Sequence, residues 1–261
     1  FLWLNSNTNT QNGAGIPMAT DIAFAIGILS LLGNKVPVSL KVFLTALAVI
    51  DDLGAILVIA IFYTKTISIS YLCYALALFI IMLIMNRLKV YKLLPYLILG
   101  ILMWYCMLHS GVHATITGVL LAFAIPFEDG NEKSISYQLQ HTLHKPVAFV
   151  ILPIFALANT AIVLTNDTNV PLLNHNSLGI IVGLVLGKPL GIFIFSFLAI
   201  YFKLAQKSDD MHWKHILSVG FLAGIGFTMS IFVTLLAFSE LQWVNNAKIA
   251  ILIASVLAGI L

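Results

Sequence analysis

Apolar segments long enough to cross a membrane as helices dominate this chain. A lipid-spanning segment satisfies its backbone hydrogen bonds internally as a helix, which requires about 20 apolar residues. Of the 261 residues, 61% are hydrophobic and 9% are charged, whereas roughly a quarter of the residues in a soluble domain are charged. The sequence therefore predicts an all-α, polytopic helical membrane protein. Nine apolar segments lie at about 16–32, 38–63, 71–85, 93–108, 112–127, 147–165, 178–202, 216–238 and from 249 onward.

The basic residues predict the orientation of these segments. If the first segment runs from outside to inside, Lys65 and Lys248 are the basic residues of the outer loops. Excess Lys and Arg on one side marks the cytoplasmic side. The net charge of +3 is spread over the loops, so it indicates no nucleic-acid surface. The expected cytoplasmic loops hold Lys35, Lys41, Arg87, Lys89, Lys92, Lys133, Lys145, Lys203, Lys207 and Lys214.

Three carboxylates lie inside apolar segments, namely Asp21, Asp51 and Asp52. Placing one at the centre of a membrane helix costs about 2.5 to 3.5 kcal/mol on insertion scales, so each is expected to have a partner, a cavity or a function. Adjacent side chains on a helix point about 100° apart. At least one of Asp51 and Asp52 is therefore expected to meet water.

Two segments carry residues that interrupt helices. Gly and Pro residues at 13–17 precede Thr20 and Asp21, and Gly residues at 220–226 precede Thr228. This pattern predicts two broken helices that cross near the membrane midplane, as in transporters built from inverted repeats. The alternative is that the small residues only allow helices to pack closely.

A lysine lies in the middle of the seventh segment. Lys188 is followed by Pro189, which has no N–H to donate to the carbonyl of Val185, so a local bend is expected. Lys188 is a candidate counter-charge for the aspartates. A purely structural ion pair is the alternative.

The oxygen groups indicate which ion is bound. Carboxylates with a hydroxyl favour Na⁺, Li⁺ or a proton, whereas transition metals would need thiolates or imidazoles. We therefore expect Na⁺ at Asp51 and Asp52, with help from Thr20. Burial and like charge raise the proton affinity of such a pair, so the same groups can carry either a proton or a cation. No cofactor is expected.

Two histidines are candidates for a pH response. His141 and His144 lie in the polar stretch at 128–146, on one face if that stretch is helical. A solvated helix end without a role is the alternative. His109 and His113 flank a Ser-Gly turn, and we do not predict a zinc site there because no Cys or carboxylate is near in sequence.

Six motifs carry a resemblance to a known family. They are ATDIAFAIG at 19–27, LAVIDDLGAI at 47–56, SGVHAT at 110–115, ILPIFALAN at 151–159, GKPLGI at 187–192 and AGIGFTMSIF at 223–232. In this order they resemble the NhaA family of bacterial Na⁺/H⁺ antiporters. This family is one of the transporter families built from inverted repeats. The resemblance implies an electrogenic, pH-dependent exchanger of Na⁺ or Li⁺ for protons in the inner membrane, with twelve spans and no enzymatic activity.

The resemblance also implies roles for individual residues. Asp52 corresponds to the main carrier of Na⁺ and protons, and Asp51 stands beside it. Thr20 and Asp21 correspond to the contribution of the first broken helix. Lys188 corresponds to the counter-charge and is a candidate second proton carrier.

Three histidines, His113, His141 and His144, match positions associated with the pH response. Gln140 departs from the family pattern, in which an acidic residue is expected at this position. This departure bears on the pH response and leaves the transport site unchanged.

Further expectations concern extent, partners and alternatives. Residues 1–261 are expected to form a single transmembrane domain that lacks most of the first three spans and part of the last. Lipid, Na⁺ and protons are the expected partners, and a homodimer is a candidate assembly. An intramembrane aspartyl protease is the alternative function, although the residues before Asp51 lack the Gly-x-Gly-Asp pattern. A receptor without transport would not need three buried acids.

Overall fold

The computed structural model describes residues 1–6, 8–33, 36–63, 67–127, 134–162 and 174–261. Within these ranges the chain forms helices and no strand. A 3-10 helix covers Gln11–Met18, and π-helical turns cover Val147–Ile151 and Gly183–Gly187. The α-helices are α1 (Leu2–Asn5), α2 (Ile22–Leu31), α3 (Val38–Phe62), α4 (Ile69–Arg87), α5 (Leu93–Ser110), α6 (Thr115–Ala124), α7 (Ile135–Pro146), α8 (Leu152–Thr160), α9 (His175–Val182), α10 (Lys188–Tyr201), α11 (Trp213–Ala223), α12 (Phe227–Ala237) and α13 (Leu241–Ile260).

Several of these helices, alone or continuous with the next helical element, have the length and apolarity of membrane spans. In the described part of the chain, 7 helical stretches meet that standard, and the bent pair α11 and α12 would make an eighth. The prediction of an all-α membrane protein is therefore confirmed. The predicted boundaries are less accurate, because helices continue through polar residues that an apolar pattern omits. The stretch Ile135–Thr160 is one span of 26 residues, α6 has 10 residues, and α13 starts at Leu241.

One basic residue that is expected in an outer loop is buried within a helix. Lys248, predicted to be in an outer loop, lies within α13 and is only 6% exposed. Its Nζ donates a hydrogen bond of 2.8 Å to the carbonyl oxygen of Ala161, directly after α8. Carbonyls at a helix C-terminus lack partners within the helix, so this lysine stabilises the end of α8.

The described chain divides into two compact units. The first comprises Phe1–Ala55 and Phe155–Leu261, and the second comprises Ile56–Ile154. In the first unit, α2, the start of α3, α11 and α13 share an apolar core. Its buried residues are Ala25, Leu29, Leu40, Leu44, Val219, Leu222, Ile225 and Ala258.

The second unit is built on the hairpin of α4 and α5, against which α6 packs. Helix α5 ends at Ser110 because Gly111 adopts a left-handed conformation with φ of 85°, which glycine accepts without steric cost. The predicted Ser-Gly turn is thus confirmed. The buried core residues here are Ala75, Met82, Tyr96, Met103, Met107, Ala124 and Ile125.

In the first unit the chain leaves the α-helix near both positions where an interruption is predicted; the crossing of two broken helices near the membrane midplane stays a prediction. The 3-10 helix with Pro17 ends at Met18, and α2 starts only after Asp21, whose carboxylate accepts a hydrogen bond from the N–H of Phe24 as an N-cap. Between α11 and α12 the chain leaves the helix and bends by 47°. A Cβ on Gly224 would collide with the carbonyl oxygen of Leu184, so glycine is required at this close approach.

Near Pro189, where a bend is expected, the structure has a π-helical turn. Gly183–Gly187 is π-helical and leads directly into α10, whose first residue is Lys188. Pro189 cannot donate a backbone hydrogen bond, and π-turns absorb such a missing bond. Lys188 therefore projects from an irregular point of its span.

Candidate functional site

The structure brings Asp51 of α3 together with Lys188 of α10. Lys188 Nζ lies 2.9 Å from Asp51 Oδ2, and the lysine and aspartate side chains are 9% and 24% exposed. Thr20, in the non-helical link before α2, places Oγ1 2.8 Å from the same carboxylate oxygen. Thr20 and Lys188, which are far apart in sequence, thus contact the same oxygen atom of Asp51.

The ammonium group of Lys188 has a full set of acceptors. Besides Asp51 it donates to Thr20 Oγ1 at 2.5 Å and to the carbonyl oxygen of Met18 at 2.6 Å. An ammonium has three donors, so this set completes its hydrogen bonding. The carbonyl of Met18 is the last of the 3-10 helix, so the positive charge also faces a partially negative helix end.

Thr20 has two acceptors for a single proton. Its Oγ1 lies 2.8 Å from Asp51 Oδ2 and 3.0 Å from the carbonyl oxygen of Ala223 at the end of α11. A hydroxyl donates one hydrogen bond at a time. Thr20 can therefore turn from the carboxylate to the backbone when Asp51 gains another partner.

Asp52 has a different environment from its neighbour. Its Oδ1 is buried and, among the described residues, has no hydrogen-bond partner. A buried acceptor without a donor is costly, and a proton or a cation would satisfy it. No group of three His, Cys, Asp or Glu residues that could hold a metal ion occurs in the described ranges, so the predicted Na⁺ site depends on the two carboxylates.

Asp21 joins the two interruptions. Its carboxylate is 3% exposed and accepts hydrogen bonds from the backbone N–H of Phe24 in α2 and of Thr228 in α12, and from the Thr228 hydroxyl. Its own N–H donates to the carbonyl of Ile225 at 2.7 Å. Helix N-termini carry partial positive charge, so one carboxylate stabilises two of them.

A cavity of about 850 Å³ in the first unit leads to the ion pair. Asp51 and Lys188 line it together with apolar side chains such as Phe43, Leu47 and Phe195. A mostly apolar wall leaves the ion pair as the main polar feature available to an entering cation. The cavity lining includes Asp51 and excludes Asp52.

The three histidines belong to the second unit. His141 and His144 lie on α7 and are exposed, and the His141 ring contacts Tyr137 with ring centroids 5.1 Å apart. His113 lies between α5 and α6, where partial burial lowers its pKa because water no longer stabilises the charged ring. Burial therefore favours the neutral form of His113.

Several groups of this site are not visible from residue type. The carbonyls of Met18, Ala223 and Ile225 belong to the backbone, which every residue has. Thr228 has a weak sequence signal, as a hydroxyl just after a Gly-rich break in an apolar span. Such hydroxyls are common in membrane helices for packing reasons alone.

Carboxylates and a lysine inside apolar helices define an ion-handling membrane protein, since intramembrane charges of this kind mark ion pathways. A family model described as Na⁺/H⁺ antiporter 1 matches residues 1–261. The chain is 66% identical to an Na(+)/H(+) antiporter NhaA of Flavobacterium psychrophilum, over 100% of this chain and 68% of that protein. It belongs to this family of Na⁺/H⁺ antiporters.

Two further relatives have similar names and coverage. The antiporter NhaA 1 of Flavobacterium johnsoniae is 62% identical over 100% of this chain and 68% of its own length. The antiporter NhaA of Cytophaga hutchinsonii is 58% identical over 100% of this chain and 67% of its own length. The chain is thus a multi-pass protein of the bacterial inner membrane and a transporter by family. Nothing in these comparisons supports the protease alternative.

Proposed function

We propose that this protein exchanges Na⁺ for protons across the inner membrane, and that Asp51 and Asp52 bind both ions in turn. The observation that carries this proposal is the contrast between adjacent carboxylates. Asp51 is held by Lys188 at 2.9 Å, whereas Asp52 has a buried oxygen without a partner among the described residues. Asp52 is therefore the carrier, and Asp51 with Lys188 regulates its charge. Li⁺, a smaller cation with the same preference for oxygen, is a second substrate.

Exchange follows from competition between the two ions. Na⁺ binds to an ionised carboxylate, and a proton neutralises that carboxylate. Each ion therefore lowers the affinity for the other by the same factor, as linkage requires.

Charge counting gives the condition for electrogenic exchange. With both carboxylates ionised and Lys188 charged, these side chains carry one net negative charge, and one proton on Asp52 makes them neutral. If Na⁺ displaces only that proton, exchange is one for one and electrically silent. If Na⁺ also breaks the Asp51 pair and Lys188 releases its proton, two protons move for each Na⁺. We propose this second scheme, with Lys188 as a proton carrier.

Thr20 and Asp21 support this cycle in different ways. Thr20 can act as an oxygen ligand for Na⁺ when its proton turns to the carbonyl of Ala223, which lies 3.0 Å away. Asp21 has hydrogen bonds to both α2 and α12. We propose that Asp21 compensates the two helix ends and does not carry a transported ion.

The remaining expectations are part of the same proposal. Competition at the carboxylates makes exchange pH-dependent without a separate sensor, so His113, His141 and His144 adjust the pH profile. Lipid surrounds the apolar helix faces, a homodimer is the proposed assembly, and no cofactor takes part. The 261 residues form one transporter domain.

Transport by Asp52→Asn tests the assignment of the carrier. The purified protein is reconstituted in liposomes, a Na⁺ gradient is applied, and the internal pH is followed with a dye. The amide keeps the size of the side chain and has neither the charge nor the titratable proton, so we expect no Na⁺-driven proton movement. Asp51→Asn is expected to reduce Na⁺-driven proton movement less than Asp52→Asn does. Normal exchange by Asp52→Asn would mean that another residue is the carrier.

A further inference from the structure

Helix α13 contains one hydroxyl side chain, Ser255, in an otherwise apolar stretch of its second half. Ser255 is 9% exposed and its neighbours Ala254 and Ala258 are buried. Its Oγ accepts a hydrogen bond of 3.1 Å from the backbone N–H of Phe227. Phe227 is the first residue of α12, directly after the break.

This contact supplies a partner that the start of α12 lacks. The first N–H groups of a helix have no acceptor within that helix, and in a membrane protein water is excluded from much of the interior. Ser255 Oγ accepts a hydrogen bond from the N–H of Phe227, and the Asp21 carboxylate accepts one of 3.1 Å from the N–H of Thr228. The positive end of α12 is therefore shared between a neutral hydroxyl and a carboxylate.

Residues 223–225, just before the start of α12, also form hydrogen bonds with residues of the candidate ion site. The carbonyl of Ile225 accepts from the Asp21 N–H at 2.7 Å, and the carbonyl of Ala223 lies 3.0 Å from Thr20 Oγ1. Thr20 in turn contacts Asp51 and Lys188. A displacement of the first turn of α12 would thus reach the ion pair through short hydrogen bonds.

We propose that Ser255 is a positioning residue for ion exchange. It fixes the start of α12 so that the carbonyls of Ala223 and Ile225, just before it, face Thr20 and Asp21. Ser255 has no described contact with Asp51, Asp52 or Lys188, so it acts through the backbone of the break. This inference rests on the proposed function, because it assumes that Thr20, Asp51 and Lys188 form the ion site.

A pair of variants with matched shape tests this role. Ser255→Thr and Ser255→Val add the same branched bulk at Cβ, and only the threonine keeps the hydroxyl. In proteoliposomes we expect Ser255→Thr to retain the wild-type KM for Na⁺. Ser255→Val is expected to raise that KM about tenfold, because it loses one buried hydrogen bond. It should also shift the pH profile of transport, with a smaller change in the maximal rate. Ser218→Ala is the control, because the exposed Ser218 hydroxyl donates only to Lys214 in its own helix.

A second measurement does not depend on transport. Hydrogen exchange of the purified protein in detergent reports the N–H of Phe227 directly. We expect about tenfold faster exchange at this amide in Ser255→Val than in Ser255→Thr. Equal exchange in both variants, or an equal KM and pH profile, would overturn the proposal.

Measuring Asp52→Asn in the same series separates the two claims. If Asp52→Asn keeps normal exchange, the proposed carrier is wrong, and the Phe227 amide still decides whether Ser255 holds α12. If Asp52→Asn is inactive and both Ser255 variants behave like wild type, the positioning role alone is wrong.

Discussion

Replacing Asp51 by Asn should lower the stability of the folded protein. The Lys188 ammonium, on a side chain that is 9% exposed, would lose the carboxylate 2.9 Å away and keep only Thr20 and the Met18 carbonyl. Breaking a fully buried pair costs about 3 to 5 kcal/mol, and an exposed pair contributes at most about 1 kcal/mol. Because Asp51 is 24% exposed, an intermediate loss of about 2 to 3 kcal/mol is expected.

Thermal unfolding of the purified protein in detergent measures this loss. A loss of this size corresponds to a decrease in Tm of about 4 to 12 °C for a chain of this length. Asp52→Asn is the matched control, since it removes a neighbouring charge that has no described hydrogen bond at Oδ1, and its Tm should be unchanged or higher. The double variant Asp51→Asn/Lys188→Met should recover most of the loss, because no unpaired ammonium is left.

Two results would refute this reasoning. If Asp51→Asn and Asp52→Asn have the same Tm, the carboxylates do not differ as their contacts indicate. If Lys188→Met does not rescue Asp51→Asn, the loss has a cause other than the unpaired ammonium.

Three other predictions concern the histidines and the break. His141→Gln/His144→Gln should shift the pH profile of transport only modestly, measured in proteoliposomes, and a lost pH dependence would contradict this. Burial lowers the pKa of His113 in the folded protein, so the unfolded chain binds the proton more readily. The stability of the wild-type protein is therefore expected to fall as the pH drops below about 6.5. In His113→Gln this part of the decrease in Tm with falling pH should be absent. Gly224→Ala forces a Cβ onto the Leu184 carbonyl and should lower Tm, at a cost of about 1 to 3 kcal/mol, whereas Gly27→Ala meets open space and should not.

The sequence predicts the helices and the interruptions because their physical causes are local. Long apolar runs must be helical in lipid, and the residues Gly224 and Gly226 weaken a helix wherever they occur. Charged residues such as Asp51 and Lys188 are conspicuous because an apolar span contains so few of them. Their ion pair can be proposed from charge alone, and its distance requires the structure.

Other features depend on tertiary structure. The carbonyls of Met18 and Ala223 have no residue-type signal, and the role of Ser255 depends on which helix α13 packs against. The burial of Lys248 was missed because its helix starts at Leu241, in residues that an apolar pattern assigns to a loop.

The apparent affinity for Na⁺ as a function of pH tests the proposed competition most directly. The KM for Na⁺ is measured in proteoliposomes from acidic to alkaline pH. If protons and Na⁺ compete at Asp51 and Asp52, KM should rise about tenfold for each unit of pH decrease per competing proton at pH values low enough to protonate the site, and should level off at higher pH. A KM that stays constant while the maximal rate changes with pH would contradict a shared site.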